Sequence, residues 1–128
     1  MGSALSCQNI HFEELSEMIN NNSTEIIIIN TLPELEQSCL IKNTISATIE
    51  VDTINKLLKT DKSKKIIIYG KNYRDGTIYK KYKQLTGLGF KNVFIYIGGL
   101  FEWLCLQDIY GNKLFQTHGN EVDILKYK

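Results

Sequence analysis

The chain has 128 residues, 43% of them apolar and 23% charged, a balance that fits one globular domain and is short for two. Fifteen basic against fourteen acidic residues leave a net charge of +1, and the only arginine is Arg74, so neither bulk charge nor guanidinium forks argue for nucleic acid. No apolar run approaches the ~18 residues of a membrane span. The chain starts Met1-Gly2-Ser3-Ala4-Leu5-Ser6-Cys7. This fits M-G-x-x-x-[ST], in which Gly2 receives a myristoyl group after Met1 is removed. One acyl chain binds a membrane marginally, and palmitoylation of Cys7 would supply a second signal. No lysine or arginine precedes Lys42, so a local polybasic signal is missing. The competing origin of the pattern is chance or an expression remnant.

Asn9–His11 is a weak strand candidate. A helix follows, with Phe12, Leu15, Met18 and Ile19 on one face and Glu13, Glu14 and Glu17 between them. Asn20–Ser23 is a polar stop. Ile26–Ile29, Ile66–Tyr69 and Val93–Ile97 are short β-branched runs of the kind buried on both faces of a parallel sheet. Ile45–Val51 is a further weak strand, and Asp52 is the expected N-cap of a short helix carrying Ile54, Leu57 and Leu58. Thr77–Leu88 reads as a helix ended by Gly89, and Leu100–Ile109 as an amphipathic helix around Trp103. Val122, Ile124, Leu125 and Tyr127 mark the last stretch as packing back on the domain. The expected fold class is α/β: a single-domain open sheet of about five mostly parallel strands with helices on both faces.

In such sheets ligands sit beyond the carboxyl ends of the strands. Two loops qualify. Asn30–Glu34 follows the first isoleucine strand. Gly70-Lys71-Asn72-Tyr73-Arg74-Asp75-Gly76 follows the central strand and opens a helix, so its amides form a candidate anion nest. The competing reading is a tight turn with solvated charges. Cys7, Cys39 and Cys105 are odd in number and widely spaced, with no secretory signal before them, so a disulfide framework is not expected. Neither His11 nor His118 stands at zinc-site spacing from a cysteine pair, and no metal or cofactor is expected. The expected location is cytoplasmic, with a membrane surface as a partner if Gly2 is acylated. Tyr79–Lys83 reads as a wet lysine face with one buried tyrosine rather than an RNA platform. Asn21-Asn22-Ser23 fits a glycosylation sequon that has no secretory context.

The order of segments resembles the rhodanese-like domain over roughly residues 8–110. Phe12-Glu13-Glu14-Leu15 is similar to the family's opening helix. Ile29-Asn30-Thr31 stands where the family has Asp-Val-Arg, and Cys39–Thr44 where it has Gly-His-Ile-Pro-Gly-Ala. Tyr69-Gly70 replaces Tyr-Cys before the catalytic loop. Gly89-Phe90 and Gly98-Gly99-Leu100-Phe101-Glu102-Trp103 match the family's helix end and its Gly-Gly-x-x-x-Trp, the most specific part. The resemblance implies a domain over 9–111, between an N-terminal segment 1–8 and an extension 112–128.

A rhodanese holds sulfur as a persulfide on the loop cysteine. Gly70 has no side chain to do so, the Gly70–Gly89 stretch is about two residues longer than the family's usual spacing, and no cysteine lies in Lys64–Leu104. The expected function is therefore a non-catalytic module, binding a protein partner or small anion through Gly70–Gly76. The alternative is a sulfurtransferase or persulfide carrier using a displaced cysteine, Cys39; Cys105 reads as a small buried residue on its helix.

Overall fold

Three of the β-branched runs become the strands β1 (Ile26–Asn30), β3 (Lys65–Tyr69) and β4 (Val93–Tyr96), parallel and ordered β1-β3-β4. The protein's structure, a computed structural model, describes residues 7–128. Register pairs Ile28 with Ile67 and Ile68 with Ile95, so isoleucines alternate between the two sheet faces. On one face Ile28, Ile67, Tyr69 and Tyr96 pack under α1 (Phe12–Asn20) and α4 (Gly99–Tyr110). On the other, Ile29, Ile66, Ile68, Val93 and Ile95 pack under α2 (Ala47–Thr60) and α3 (Thr77–Gly87). This double burial is why those strands read as unbroken apolar runs.

The expected width of about five strands survives only in outline. Asn9 bridges Ile95 beside β4, and Thr44 bridges Ile28 beside β1, both parallel, so each outer strand is reduced to a single bridge. The weak strand Ile45–Val51 is not one. Ser46 ends the bridge and caps a helix, its Oγ accepting the Thr48 N–H, so α2 starts at Ala47 and Asp52 lies inside it. A separate antiparallel pair joins β2 (Leu40–Ile41) to β5 (Thr117–His118), with Leu40 opposite His118.

The C-terminal stretch closes the α1–α4 face. Phe115 stacks edge-on against Trp103, whose Nε1–H donates to the Gln116 carbonyl at 3.0 Å. A final 3-10 turn, Ile124–Tyr127, buries Tyr127 completely in the same cluster as Cys39. Among the described residues the Tyr127 hydroxyl has no hydrogen-bond partner. A buried, unmet hydroxyl costs about 1–3 kcal/mol, whereas the ring supplies the packing. Tyr127→Phe is therefore expected to leave stability unchanged or raise it, by up to about 1 kcal/mol, and Tyr127→Ala to lower it by about 3–5 kcal/mol. Urea denaturation of the two variants checks both signs.

Candidate functional site

β3 ends at Tyr69, fully buried, whose hydroxyl accepts the Ile41 N–H at 3.1 Å and bonds the Thr44 hydroxyl at 2.8 Å. Burial pushes this phenol well above its usual pKa despite those bonds, so it works as a neutral clamp between β3 and the end of β2 with the turn that follows it. The chain then enters Gly70–Gly76. The Gly70 and Lys71 carbonyls accept the Leu100 and Phe101 amides at 3.0 and 2.9 Å, meeting two of the donors at the start of α4. That approach needs Gly99. Its φ is +69°, and a Cβ there would collide with the Gly70 carbonyl and the Asn72 amide.

With its carbonyls turned toward α4, the loop closes on its own carboxylate. Asp75 Oδ2 accepts the Lys71 N–H at 2.8 Å, and Oδ1 accepts the Thr77 amide at 3.0 Å and its hydroxyl at 2.5 Å. Burial works to raise the Asp75 pKa. The Lys71 amide, the Thr77 hydroxyl and amide, and the Lys71 charge outweigh it and hold the carboxyl below its usual range. A Cβ on Gly70 would fall on this carboxylate, closer than real Cβ contacts come, and would also crowd Ile78.

The remaining loop side chains are also engaged. Lys71 pairs with Glu36 at 3.4 Å, and the Arg74 guanidinium lies 5.6 Å from the Tyr73 ring centroid. Asn72, buried, accepts the Arg74 N–H and donates to the Tyr127 carbonyl at 2.8 Å, tying the loop to the C-terminal turn. Tyr73, 64% exposed, and Arg74 face solvent.

An open cleft of about 1180 Å³ lies on the β1 side. Asn30, Thr31, Leu32 and Glu34 line it from the first of the two expected loops, and Thr77, Lys80 and His118 line it from α3 and β5. No residue of Gly70–Gly76 is among its lining. At its rim the Thr31 hydroxyl of the first loop lies 2.7 Å from the hydroxyl of Thr77, the residue that opens α3. The structure thus separates two features that the strand-end rule placed together.

Cys39 is 0% exposed, and burial, then the nearby Glu121, raise its thiol pKa against a smaller effect of Lys126. Cys105 is half-buried on α4 and is likewise raised, by burial, Asp108 and Glu102. Burial also raises Cys7, against the pull of Lys83. Gly2 lies outside the described residues. Among those residues no cluster of His, Cys, Asp and Glu could hold a metal ion, and no helix is long and apolar enough to cross a membrane. The role of Asp75 goes beyond the general nest reading of the loop. Its signal was an Asp two residues before a helix-opening Thr, an Asx-turn pattern that fills a helix start from within.

The profile of the rhodanese-like domain matches residues 11–105. The chain belongs to the rhodanese-like domain family. Solved structures agree on the fold. A Bacillus halodurans protein superposes with a TM-score of 0.67 at 24% identity, over 88% of this chain and 77% of that one. The rhodanese-like domain of an Anabaena protein gives 0.62 at 20%, over 88% and 79%. A thiosulfate sulfurtransferase from Pseudomonas aeruginosa gives 0.69 at 15%, over 94% of this chain but 22% of that longer one. No curated protein matches.

Two outcomes follow for this rhodanese-like domain. Gly70→Ala is expected to cost roughly 1–3 kcal/mol, and much less in an Asp75→Ser background, because the clash is with that carboxylate. A double-mutant cycle by chemical denaturation reads the coupling. The lowered Asp75 pKa stabilises the fold fully above the ordinary value of about 4 and is lost as pH falls through the folded value. The stability advantage of wild type over Asp75→Asn is therefore expected to shrink as pH drops below about 4. Thermal melts from neutral to acid pH measure it.

Proposed function

We propose that this rhodanese-like domain is a non-catalytic module that presents Gly70–Gly76 to a protein partner. The observation that carries this reading is the Asp75 carboxylate on the Lys71 amide and the Thr77 amide and hydroxyl, in the space that a side chain on Gly70 would need. The resemblance assigns that position to the sulfur-carrying cysteine. The Lys71 and Thr77 amides, already bonded to an internal carboxylate, are offered to neither a thiolate nor a small external anion. This favours the protein partner over the small anion. The solvent-facing Tyr73 and Arg74 are residue types enriched where interfaces concentrate binding energy.

The second reading, a persulfide carrier on Cys39, requires an accessible thiolate. A completely buried thiol with a raised pKa beneath the C-terminal turn works against it.

Intact mass after incubation with excess thiosulfate tests both readings. No added sulfur on Cys7, Cys39 or Cys105, with no turnover of thiosulfate and cyanide, is the expected result. Addition of one sulfur atom that disappears in Cys39→Ala overturns the non-catalytic reading in favour of the carrier.

A further inference from the structure

Residues 120–127 cross over Cys39 with little to hold them there. They leave β5 at Gly119, whose φ is +86°, and a Cβ on Gly119 would collide with the carbonyl of Ser38, the residue before Cys39. The Glu121–Lys126 pair at 2.9 Å and the backbone bonds of the turn Ile124–Tyr127 are internal to the segment. Among the described residues, one hydrogen bond joins it to the rest of the protein: the Asn72 side-chain amide donates to the Tyr127 carbonyl at 2.8 Å. Val122 and Leu125 are exposed, so the apolar hold is the Tyr127 ring with the half-buried Ile124 beside it.

The closed position is also imperfect. Tyr127 is fully buried, yet its hydroxyl has no partner among the described residues, so closure strips that group of water without a replacement. Cys39 lies in the same cluster, and Glu121, Lys126 and Tyr127 all interact with it electrostatically, so three residues of the segment surround the thiol. Beneath it, β2 is held by its pairing with β5 and by the Tyr69 clamp, neither of which involves the segment. The segment can therefore lift without unpairing a strand, which is the mark of a local opening below global unfolding. Asn72 reaches it from the loop. Its Oδ1 accepts the Arg74 N–H at 2.9 Å while its Nδ2 holds Tyr127, so one side chain latches the segment and braces the turn that carries Tyr73 and Arg74.

We infer that residues 120–127 form a hinged strap over Cys39, pivoting at Gly119 and latched by Asn72, and that its opening uncovers the thiol while the sheet stays folded. A small, soft electrophile reaches Cys39 only through that opening. The strap thus sets the reactivity of the thiol from the Gly70–Gly76 loop. It does so whether or not the thiol carries sulfur: alkylation needs access alone, whereas a persulfide carrier also needs turnover of thiosulfate.

The test is alkylation of the full chain by iodoacetamide, in which each thiolate displaces iodide, followed at each cysteine by peptide mass spectrometry. In wild type the Cys39 rate is expected to stay nearly flat at low urea and to take the steep slope of global unfolding only near the transition. This series needs no substitution. Asn72→Asp keeps an acceptor for the Arg74 amide and replaces the donor to Tyr127 with a second acceptor. Without urea it should speed Cys39 about tenfold and leave Cys105, half-buried on α4, within about twofold of its wild-type rate. Tyr127→Phe keeps the ring and should not speed Cys39. The inference is overturned if Cys39 reacts only along the global slope, or if Asn72→Asp leaves its rate unchanged or speeds Cys105 equally. It is equally overturned if Tyr127→Phe speeds Cys39.

Discussion

The approach of the α4 start to the Gly70–Asn72 backbone governs this molecule more than any other contact. Gly99 lets two polypeptide backbones meet where a Cβ would overlap a carbonyl and an amide. The Leu100 and Phe101 amides then bond the Gly70 and Lys71 carbonyls. An α-helix always leaves its first amides unmet, and a strand-end loop always has carbonyls to place. Each satisfies the other here. Once the loop's carbonyls are committed to α4, its Lys71 amide faces the opposite way, toward the start of α3, and meets the Asp75 carboxylate.

The same contact organises the far face. Trp103, one turn into α4, sits edge-on between Tyr96 and Phe115 and holds the Gln116 carbonyl. Tyr96 in turn donates to Glu102 at 2.6 Å. The Gly-Gly-x-x-x-Trp stretch therefore does two jobs from one helix turn. Its second glycine seats the loop, and its indole seats the C-terminal segment, whose Tyr127 carbonyl returns to Asn72 in the loop. The ring of contacts is closed, so disturbing the C-terminal turn loosens the loop from behind.

Much of this was legible in the residues, and the reasons are specific. The isoleucine strands were clear because both sheet faces are buried, which removes the alternation that makes short strands ambiguous. The helices around Leu15 and Ile78 were clear because their apolar spacing is regular, whereas the expected amphipathic helix around Trp103 is apolar on most sides, with Leu100, Trp103 and Leu104 buried and Ile109 exposed. The start of α2 was misread because Ile45–Val51 is rich in β-branched residues, while one hydrogen bond from Thr48 to Ser46 decides for helix. The two-residue pair β2–β5 carries too little pattern to detect and depends on contacts 76–78 positions apart along the chain. At the site, loop membership was readable from Gly70 to Gly76, but its occupancy was not. Whether Asp75 points at solvent or at its own amides depends on where α4 docks, and that is a tertiary fact.

The glycine at 70 and the aspartate at 75 are best understood together. A nest of amides with nothing in it is poorly stable, because buried N–H groups without acceptors cost about 1–3 kcal/mol each. A strand-end loop with inward-facing amides must find an acceptor for them, open to water, or unravel. Asp75 is the acceptor found here, and it fits only because position 70 has no Cβ. The two residues depend on each other: a side chain at 70 alone would meet the carboxylate, and removing the carboxylate alone would leave the Lys71 and Thr77 amides without it. On the proposed reading, this mutual dependence is what turned a reactive loop into a rigid surface, and it explains how the fold kept the loop's shape without the chemistry that the shape serves elsewhere in the family.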